Sequence, residues 1–310
     1  MAGHVLVTGG AGFIGSHLVR RLLERGDRVR VLDDLSTGRR ERVPAEAELI
    51  EADMRDAAAV GRATRGCDLV FHEAARPSVP RSLEDPIGTT AIIVEGTINV
   101  LLAARDEGAR RVVLASSSSI YGDAGALPRS ESARPAPISP YATAKLAAEG
   151  YCATCSRLGH VETVALRYFN VFGPDQDPHS AYSAVVPRFI AASAAGAPLT
   201  IYGDGLQSRD FTYVDDVVEA NTLAAEAPGV DGEVLNVSGG APRTVLDVAR
   251  AIGERMGGGF PLLEHLPARP GEVRDSWADL SASRRLLGYV PRTSLEAGLE
   301  ETIETAAAAA

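Results

Sequence analysis

Cysteine is scarce in this 310-residue chain, which has only Cys67, Cys152 and Cys155. So small and odd a number builds no disulfide framework and fits a reducing compartment. Cys152 and Cys155 form a C-x-x-C, but the segment reads as helix, and no second Cys/His pair stands at metal-ligand spacing. Both are read as helix-packing residues, and no metal is expected. Positive charge is also short, with 31 Lys and Arg against 41 Asp and Glu, a formal net charge of −10. Without a basic cluster, nucleic acid is excluded as a partner, whereas a small anionic substrate needs only a few focused arginines. No window approaches the roughly 18 consecutive apolar residues of a membrane span. No charged leader precedes the strand-like His4-Val5-Leu6-Val7-Thr8. The expectation is a cytoplasmic protein with no membrane partner. Composition, 45% hydrophobic and 23% charged, suits a folded core rather than disorder.

Short β-branched runs alternate with helical patterns up to about residue 170. Val5–Thr8, Arg28–Leu32, Glu48–Ala52, Leu69–His72, Val112–Ala115 and Val161–Tyr168 read as strands. Apolar residues at i, i+3 and i+4 mark helices between them, as in Ile14–Leu23 and Ile92–Ala104. Such alternation predicts an α/β fold, a doubly wound parallel sheet of Rossmann type, with ligands at the carboxyl ends of its strands. After Gly173 the pattern turns irregular, with isolated helices at Ala184–Ala195, Val214–Ala225 and Thr244–Met256. The division expected is a dinucleotide-binding domain over 1–170, with 210–237 returning to its sheet. A smaller interleaved α/β substrate lobe would take 171–209 and 238–305. Residues 306–310 read as a fraying helix end or tail.

Gly9, Gly12 and Gly15 follow the first strand and open the first helix. A backbone there can turn tightly and bring helix N-terminal amides up to a pyrophosphate. The triplet alone is weak evidence, but the strand–turn–helix context supports it. Phe13 and Ile14 lie within this loop. Asp33 ends the second strand about 20 residues on, where a carboxylate accepts from both ribose hydroxyls and repels a 2′-phosphate. NAD is therefore expected over NADP, although Arg39 and Arg40 lie close in sequence. Asp53, taken to close the third strand, is a candidate for the adenine amino group or a cap of the next turn. Met54 and Ala74 complete the expected cofactor contacts.

Ser139-Pro140-Tyr141-Ala-Thr-Ala-Lys145 reads as a helix start with Ser as N-cap and Pro at the first helical position. Tyr141 and Lys145 then share one helix face. A phenol has an ordinary pKa near 10, so acting as a base near neutrality requires a shift of roughly 3 units, about 4 kcal/mol. One cation about 4 Å away at an effective dielectric near 20 supplies that order of effect. Lys145 and an oxidised nicotinamide are the candidates. A Tyr–Lys pair is common on any helix, but here it follows a dinucleotide-binding half and the Ser116-Ser117-Ser118-Ser119 run. Ser117 is placed to relay a proton between Tyr141 and a substrate hydroxyl.

The glycine loop, Asp33, Ser-Ser-Ser-Ser-Ile-Tyr-Gly-Asp over 116–123, Tyr141–Lys145 and Leu166-Arg-Tyr-Phe-Asn-Val-Phe-Gly173 together resemble the extended short-chain dehydrogenase/reductases. More specifically the chain resembles the nucleotide-sugar 4-epimerases, and the resemblance covers nearly the whole chain. It implies that Tyr141 takes the C4-hydroxyl proton while hydride passes to a tightly held NAD. The 4-keto sugar then turns and receives the hydride on its other face. Lys145 would bind the nicotinamide ribose and lower the tyrosine pKa, and Ser117 matches the catalytic serine. Asn170, Arg209 and Arg269 match residues that grip the nucleotide and diphosphate, and Ser118 and Val186 join the implied substrate set. The resemblance also implies a homodimer built from the Tyr141 helix and the helix over about Ile87–Glu107.

Related 4,6-dehydratases place Asp-Glu after the catalytic Ser/Thr, and related decarboxylases place a Glu there. Here Ser118 and Ser119 supply no carboxylate, which favours epimerisation. Ser276 stands where epimerases restricted to non-acetylated sugars carry tyrosine, leaving room for a 2-acetamido group. Gln176 and Ala184 also resemble the subgroup that handles N-acetylated substrates. The expected substrate pair is UDP-N-acetylglucosamine/N-acetylgalactosamine, with UDP-glucose/galactose also accepted. Two departures stand out. Ile93 replaces an asparagine usual near the cofactor, and Arg76 occupies a substrate-adjacent loop where it would favour a carboxylated sugar. The alternatives are therefore a UDP-glucuronate 4-epimerase, a nucleotide-sugar dehydratase or oxidoreductase, or a non-catalytic NAD-binding regulator.

Overall fold

The computed structural model describes residues 3–76, 78–123, 125–178, 184–259, 261–268 and 273–308. Strands β1 (His4–Thr8), β2 (Arg28–Asp33), β3 (Glu48–Glu51), β4 (Leu69–His72), β5 (Arg111–Ser117) and β6 (Glu162–Tyr168) come first. Between them run helices α1 (Phe13–Glu24), α2 (Ala57–Thr64), α3 (Val79–Glu84), α4 (Pro86–Thr90), α5 (Gly96–Asp106) and α6 (Pro140–Arg157). The second half contains β7 (Val171–Phe172), α7 (Val185–Ala194), β8 (Leu199–Tyr202), β9 (Ser208–Asp210), β10 (Thr212–Tyr213) and α8 (Val214–Glu226). It continues through β11 (Glu233–Val237), β12 (Pro242–Thr244), α9 (Val245–Arg255), β13 (Leu263–Leu266), β14 (Asp275–Ser276), α10 (Ser281–Leu287) and α11 (Leu295–Ala308).

Seven strands form one sheet in the order β11-β6-β5-β4-β1-β2-β3, and every pairing in it is parallel. Because side chains alternate along a strand, the sheet feeds two cores. Val5, Val7, Phe71 and Val113 pack with Leu18 and Leu22 of α1 and Val217 of α8. Leu6, Val70, Val112 and Leu114 pack on the other face with Val60 of α2, Leu101 of α5 and Ala148 of α6. A third core joins Phe189 of α7, Ile201 of β8 and Val248 of α9 in the smaller lobe.

The helix predicted over Ile92–Ala104 begins earlier and is not uniform. It runs as α4, a π turn over Ala91–Glu95 and α5. By length and composition alone Pro86–Asp106 would qualify as a membrane span, which the count of consecutive apolar residues had not flagged. In the fold, Ile92, Val100 and Leu101 are packed into the sheet's second core. Of the stretch expected to return to the sheet, β11 alone enters it. β10 pairs with β7 outside it, and α8 lies on its face. Residues 306–308 continue α11 as its exposed end.

Candidate active site

The carboxyl ends of the strands open onto a cavity of about 1030 Å³. Its floor is the turn from β1 into α1. Gly9 sits at φ +72°, and a Cβ there would stand 2.7 Å from the Ala74 backbone. Only glycine gives both that dihedral and that approach. Gly12 caps α1, and Gly15 packs so closely on the Gly9 carbonyl that no side chain fits between them. The helix end therefore faces the cavity with no side chain over its amides, which suits a diphosphate.

Ala74 is held by a defined chain of hydrogen bonds. Its N–H donates to Thr8 Oγ1 at 3.3 Å, and Thr8 Oγ1 contacts His72 Nδ1 at 2.7 Å. His72 Nε2 contacts Thr97 Oγ1 at 3.0 Å, and that hydroxyl gives its proton to the Ile93 carbonyl. Thr97 must therefore accept from His72 Nε2–H, which leaves Nδ1 to accept from Thr8. Burial, with the charge of Lys145 adding to it, drives the imidazole down to about 3, so it stays neutral. Ile93 itself is buried in the second core, and the neighbouring Ile92 faces the cavity. The Ile93 side chain thus serves core packing, and its backbone carbonyl is taken up by Thr97.

Asp33 reaches the cavity at the end of β2, with Oδ2 accepting from Ala11 N at 3.0 Å and Oδ1 from Leu35 N at 2.9 Å. Burial raises its pKa against the pull of those two amides. Gly38 keeps the wall beside it thin, since a Cβ there would stand 2.9 Å from Asp33 Oδ1. Neither arginine suspected of favouring NADP is unpaired. Arg39 lies 3.8 Å from Asp177, and Arg40 turns away to Glu51. Asp53 corrects one expectation: β3 ends at Glu51, and the Asp53 carboxylate accepts from the backbone N and Nε of Arg55, which lowers its pKa. It still lines the cavity, as do Phe13, Ile14 and Met54.

At the other end of the cavity α6 begins as its sequence predicts. Ser139 Oγ accepts from Ala142 N at 3.2 Å and Pro140 takes the first turn. Tyr141 and Lys145 both lie buried on the cavity wall. Lys145 Nζ donates to the Ala115 carbonyl at 2.6 Å. Burial pulls its ammonium down to about 8, while Glu73 and Glu149 hold it up. Ser117 caps the short turn over Ser118–Tyr121, its hydroxyl 2.9 Å from that of Ser119. The Tyr141 phenol is not lowered by its surroundings, as the sequence suggested. Burial pushes it up to about 12, and Ser117 opposes this by hydrogen bonding. The desolvation of the buried phenolate outweighs the single hydrogen bond from Ser117.

The substrate-side residues spread along the far wall. Ser118, Asn170, Gln176, Ala184, Arg209 and Ser276 all line the same cavity. Gln176 Nε2 donates to the Val171 carbonyl, and its Oε1 is buried without a partner. Arg209 donates to the Ser208 and Arg274 carbonyls. Val186 is buried and lines an adjoining pocket of about 210 Å³, which shares Asn170, Ala184 and Arg209 with the cavity. Arg269 lies outside the described residues. Arg76 lines the cavity with its Nε buried and unpartnered. Sequence reasoning missed Glu73, Arg42, Val79 and Tyr168 on the wall. An acidic residue directly after the apolar β4 was the one signal that would have found Glu73. Among the described residues no group of His, Cys, Asp or Glu gathers at metal-binding distance. Cys152 packs in the second core with its thiol pushed up by burial.

The family model for the NAD-dependent epimerase/dehydratase family matches residues 5–238. A UDP-glucose 4-epimerase of Mycolicibacterium smegmatis is 40% identical over 306 residues, 96% of this chain and 97% of its own. A UDP-glucose 4-epimerase of Thermus thermophilus, solved in complex with NAD, is 38% identical with TM-score 0.92, covering 99% of this chain and 100% of its own. A UDP-N-acetylglucosamine 4-epimerase of Methanobrevibacter ruminantium, solved with UDP-N-acetylmuramic acid, is 35% identical with TM-score 0.95 and covers 100% and 99%. The chain belongs to the NAD-dependent epimerase/dehydratase family, as a nucleotide-sugar 4-epimerase of the extended short-chain dehydrogenase/reductase type.

Proposed function

We propose that the protein interconverts UDP-N-acetylglucosamine and UDP-N-acetylgalactosamine at C4 and also accepts UDP-glucose and UDP-galactose. The observation that carries this reading is Ser276 on the cavity wall at the end of β14, a small side chain where bulk would exclude a 2-acetamido group. Ser118 and Ser119 follow Ser117 on the same wall and bring no carboxylate for dehydration or decarboxylation. Asn170, Arg209 and Arg269 would hold the nucleotide and diphosphate, and Gln176, Ala184 and Val186 would line the rest of the substrate site. Asp33, Asp53, Met54, Ala74 and the Gly9–Gly15 loop would hold NAD, which when bound accepts the C4 hydride and returns it.

The chain's own groups would handle the proton. Tyr141 takes it from the C4 hydroxyl through or beside Ser117 and gives it back after the sugar has turned. Lys145, fixed by the Ala115 carbonyl, favours the phenolate electrostatically. The assay is NMR of the purified protein with UDP-N-acetylglucosamine and UDP-glucose, without added reductant. Both C4 epimers are expected. Ser276→Tyr should lower kcat/KM for the acetylated sugar by about tenfold or more while changing UDP-glucose turnover little. Equal loss on both sugars would sink the role given to Ser276. A second reading, a UDP-glucuronate epimerase, is favoured by the unpartnered Arg76 Nε. Turnover of UDP-glucuronate alone would establish it.

A homodimer and a cytoplasmic site of action belong to the same proposal. α3, α4 and α6 lie side by side and expose Leu83, Ile87 and Tyr151, with Ile87 83% exposed. A second copy seated on this face would bury them. Ile87→Arg should move the protein to half its apparent mass in light scattering. An unchanged mass would remove these helices from the interface.

A further inference from the structure

We infer that Glu73 is a further positioning residue of the reaction, a carboxylate that sets the charge state of Lys145 and through it the ionisation of Tyr141. The inference rests on the epimerase reading of the same site. It stands first on geometry. Glu73 directly follows β4, whose His72 pairs with Leu114 of β5, so it comes level with Ala115. The Ala115 carbonyl is where Lys145 Nζ is bound. Both side chains line the same cavity.

Glu73 is fixed as well as near. Its Oε1 accepts from Tyr168 Oη at 2.8 Å, and that phenol oxygen accepts from Asn221 Nδ2 at 2.7 Å. Asn221 is anchored in turn to the Val217 carbonyl of α8. The Tyr168 hydroxyl proton is thus committed to Glu73 by a donor chain that starts in the opposite helix layer. A buried carboxylate with an oriented donor and a neighbouring ammonium makes a charge-compensated group.

The charged and titratable groups around this pair are few. From β4 comes His72, held neutral by burial. From β6 comes Tyr168, raised well above its ordinary value by burial and by Glu73. From α6 come Tyr141, Glu149 and Cys152, of which Glu149 and Cys152 act on Lys145 after Glu73. Burial pushes Glu73 up to about 7, while Tyr168 and Lys145 pull it down. Glu73 therefore changes charge near neutrality, in the range where the base must work. Ionised, it keeps Lys145 protonated, and the ammonium held in this way is the cation that favours the phenolate. Protonated or replaced by glutamine, it lets burial drive the proton off Lys145, and the phenolate loses that cation.

The sign follows from the acid that Glu73 faces: without its charge the Lys145 ammonium becomes the stronger acid, and the neutral amine no longer stabilises the phenolate. Glu73→Gln should move the ionisation midpoint of Tyr141 up by about one to two pH units. Tyr168→Phe, which keeps the carboxyl but removes its donor, should move it the same way by less. The midpoint is read as tyrosinate absorbance of the NAD-bound protein, taken as the difference from Tyr141→Phe. The acid limb of kcat with UDP-glucose provides the second reading. A midpoint unmoved in both variants, or moved downward, overturns the inference. A merely structural glutamate would lower kcat at every pH and leave the midpoint in place. Because the absorbance needs no turnover, a wrong substrate would silence the kinetic reading and leave the spectroscopic one intact.

Discussion

Tyr141→Phe should lower kcat by about 10²–10⁴-fold while leaving the fold and NAD binding in place. Phenylalanine keeps the ring, which packs in the second core, and removes only the oxygen proposed to receive the C4 proton. The rate should therefore fall with little change in KM, because the lost contact acts in the transition state. Wild-type activity should rise with pH, since burial holds the phenol high in the protein alone. The positive nicotinamide and Lys145 must bring it into the working range. Steady-state kinetics of wild type and variant across pH 6 to about 9, a range bracketing the needed shift, checks this. Full activity in Tyr141→Phe would remove the proton-transfer role and favour the regulator reading.

Arg167→Met should destabilise the protein by about 3–5 kcal/mol, because it strands a buried carboxylate. Glu149 on α6 and Arg167 on β6 are each 5% exposed or less as side chains and lie 2.8 Å apart. Ser116 adds a 2.5 Å hydrogen bond to the same carboxylate. The guanidinium also stacks 4.7 Å over Tyr121, whose hydroxyl donates to Asn236 at 2.6 Å. The network thus ties the helix carrying Tyr141 and Lys145 to β5, β6 and β11. Heat denaturation should show a fall in Tm of about 10 °C at roughly 2–4 °C per kcal/mol. Pairing the change with Glu149→Leu should recover most of the loss, since no charge is then left unpaired. Equal destabilisation in the double variant would show that packing, not charge, holds α6 there.

Those two expectations differ in how far the sequence alone leads to them. Tyr141, Lys145 and Ser117 were legible because their order follows from strand–turn–helix chemistry. Ser139 caps, Pro140 starts the helix, and a four-residue step puts the pair on one face. Gly9, Gly12 and Gly15 were legible because they stand at a strand–turn–helix junction, where Gly9 comes too close to Ala74 for a Cβ and Gly15 too close to the Gly9 carbonyl. The Glu149–Arg167 pair was not, because its partners are joined across layers, and charge spacing along one chain says nothing about that. Asp53 was misplaced because strand ends depend on the partner's length. β3 pairs with β2 only through Glu51, opposite Asp33. The π turn at Ala91–Glu95 escaped because a 3.6-residue period cannot reveal a local change of winding. Tyr141's raised pKa escaped because the sequence named the cation nearby but not the burial opposing it.

The most direct test of the account is the fate of the C4 hydrogen. The purified protein is incubated in D2O with UDP-glucose and UDP-N-acetylglucosamine, without added reductant, and the products are read by proton NMR. The account predicts C4 epimers that keep a protium at C4, with no accumulation of NADH, because the hydride leaves and returns within one site. Deuterium at C4, loss of water from the sugar or net NADH formation would contradict it.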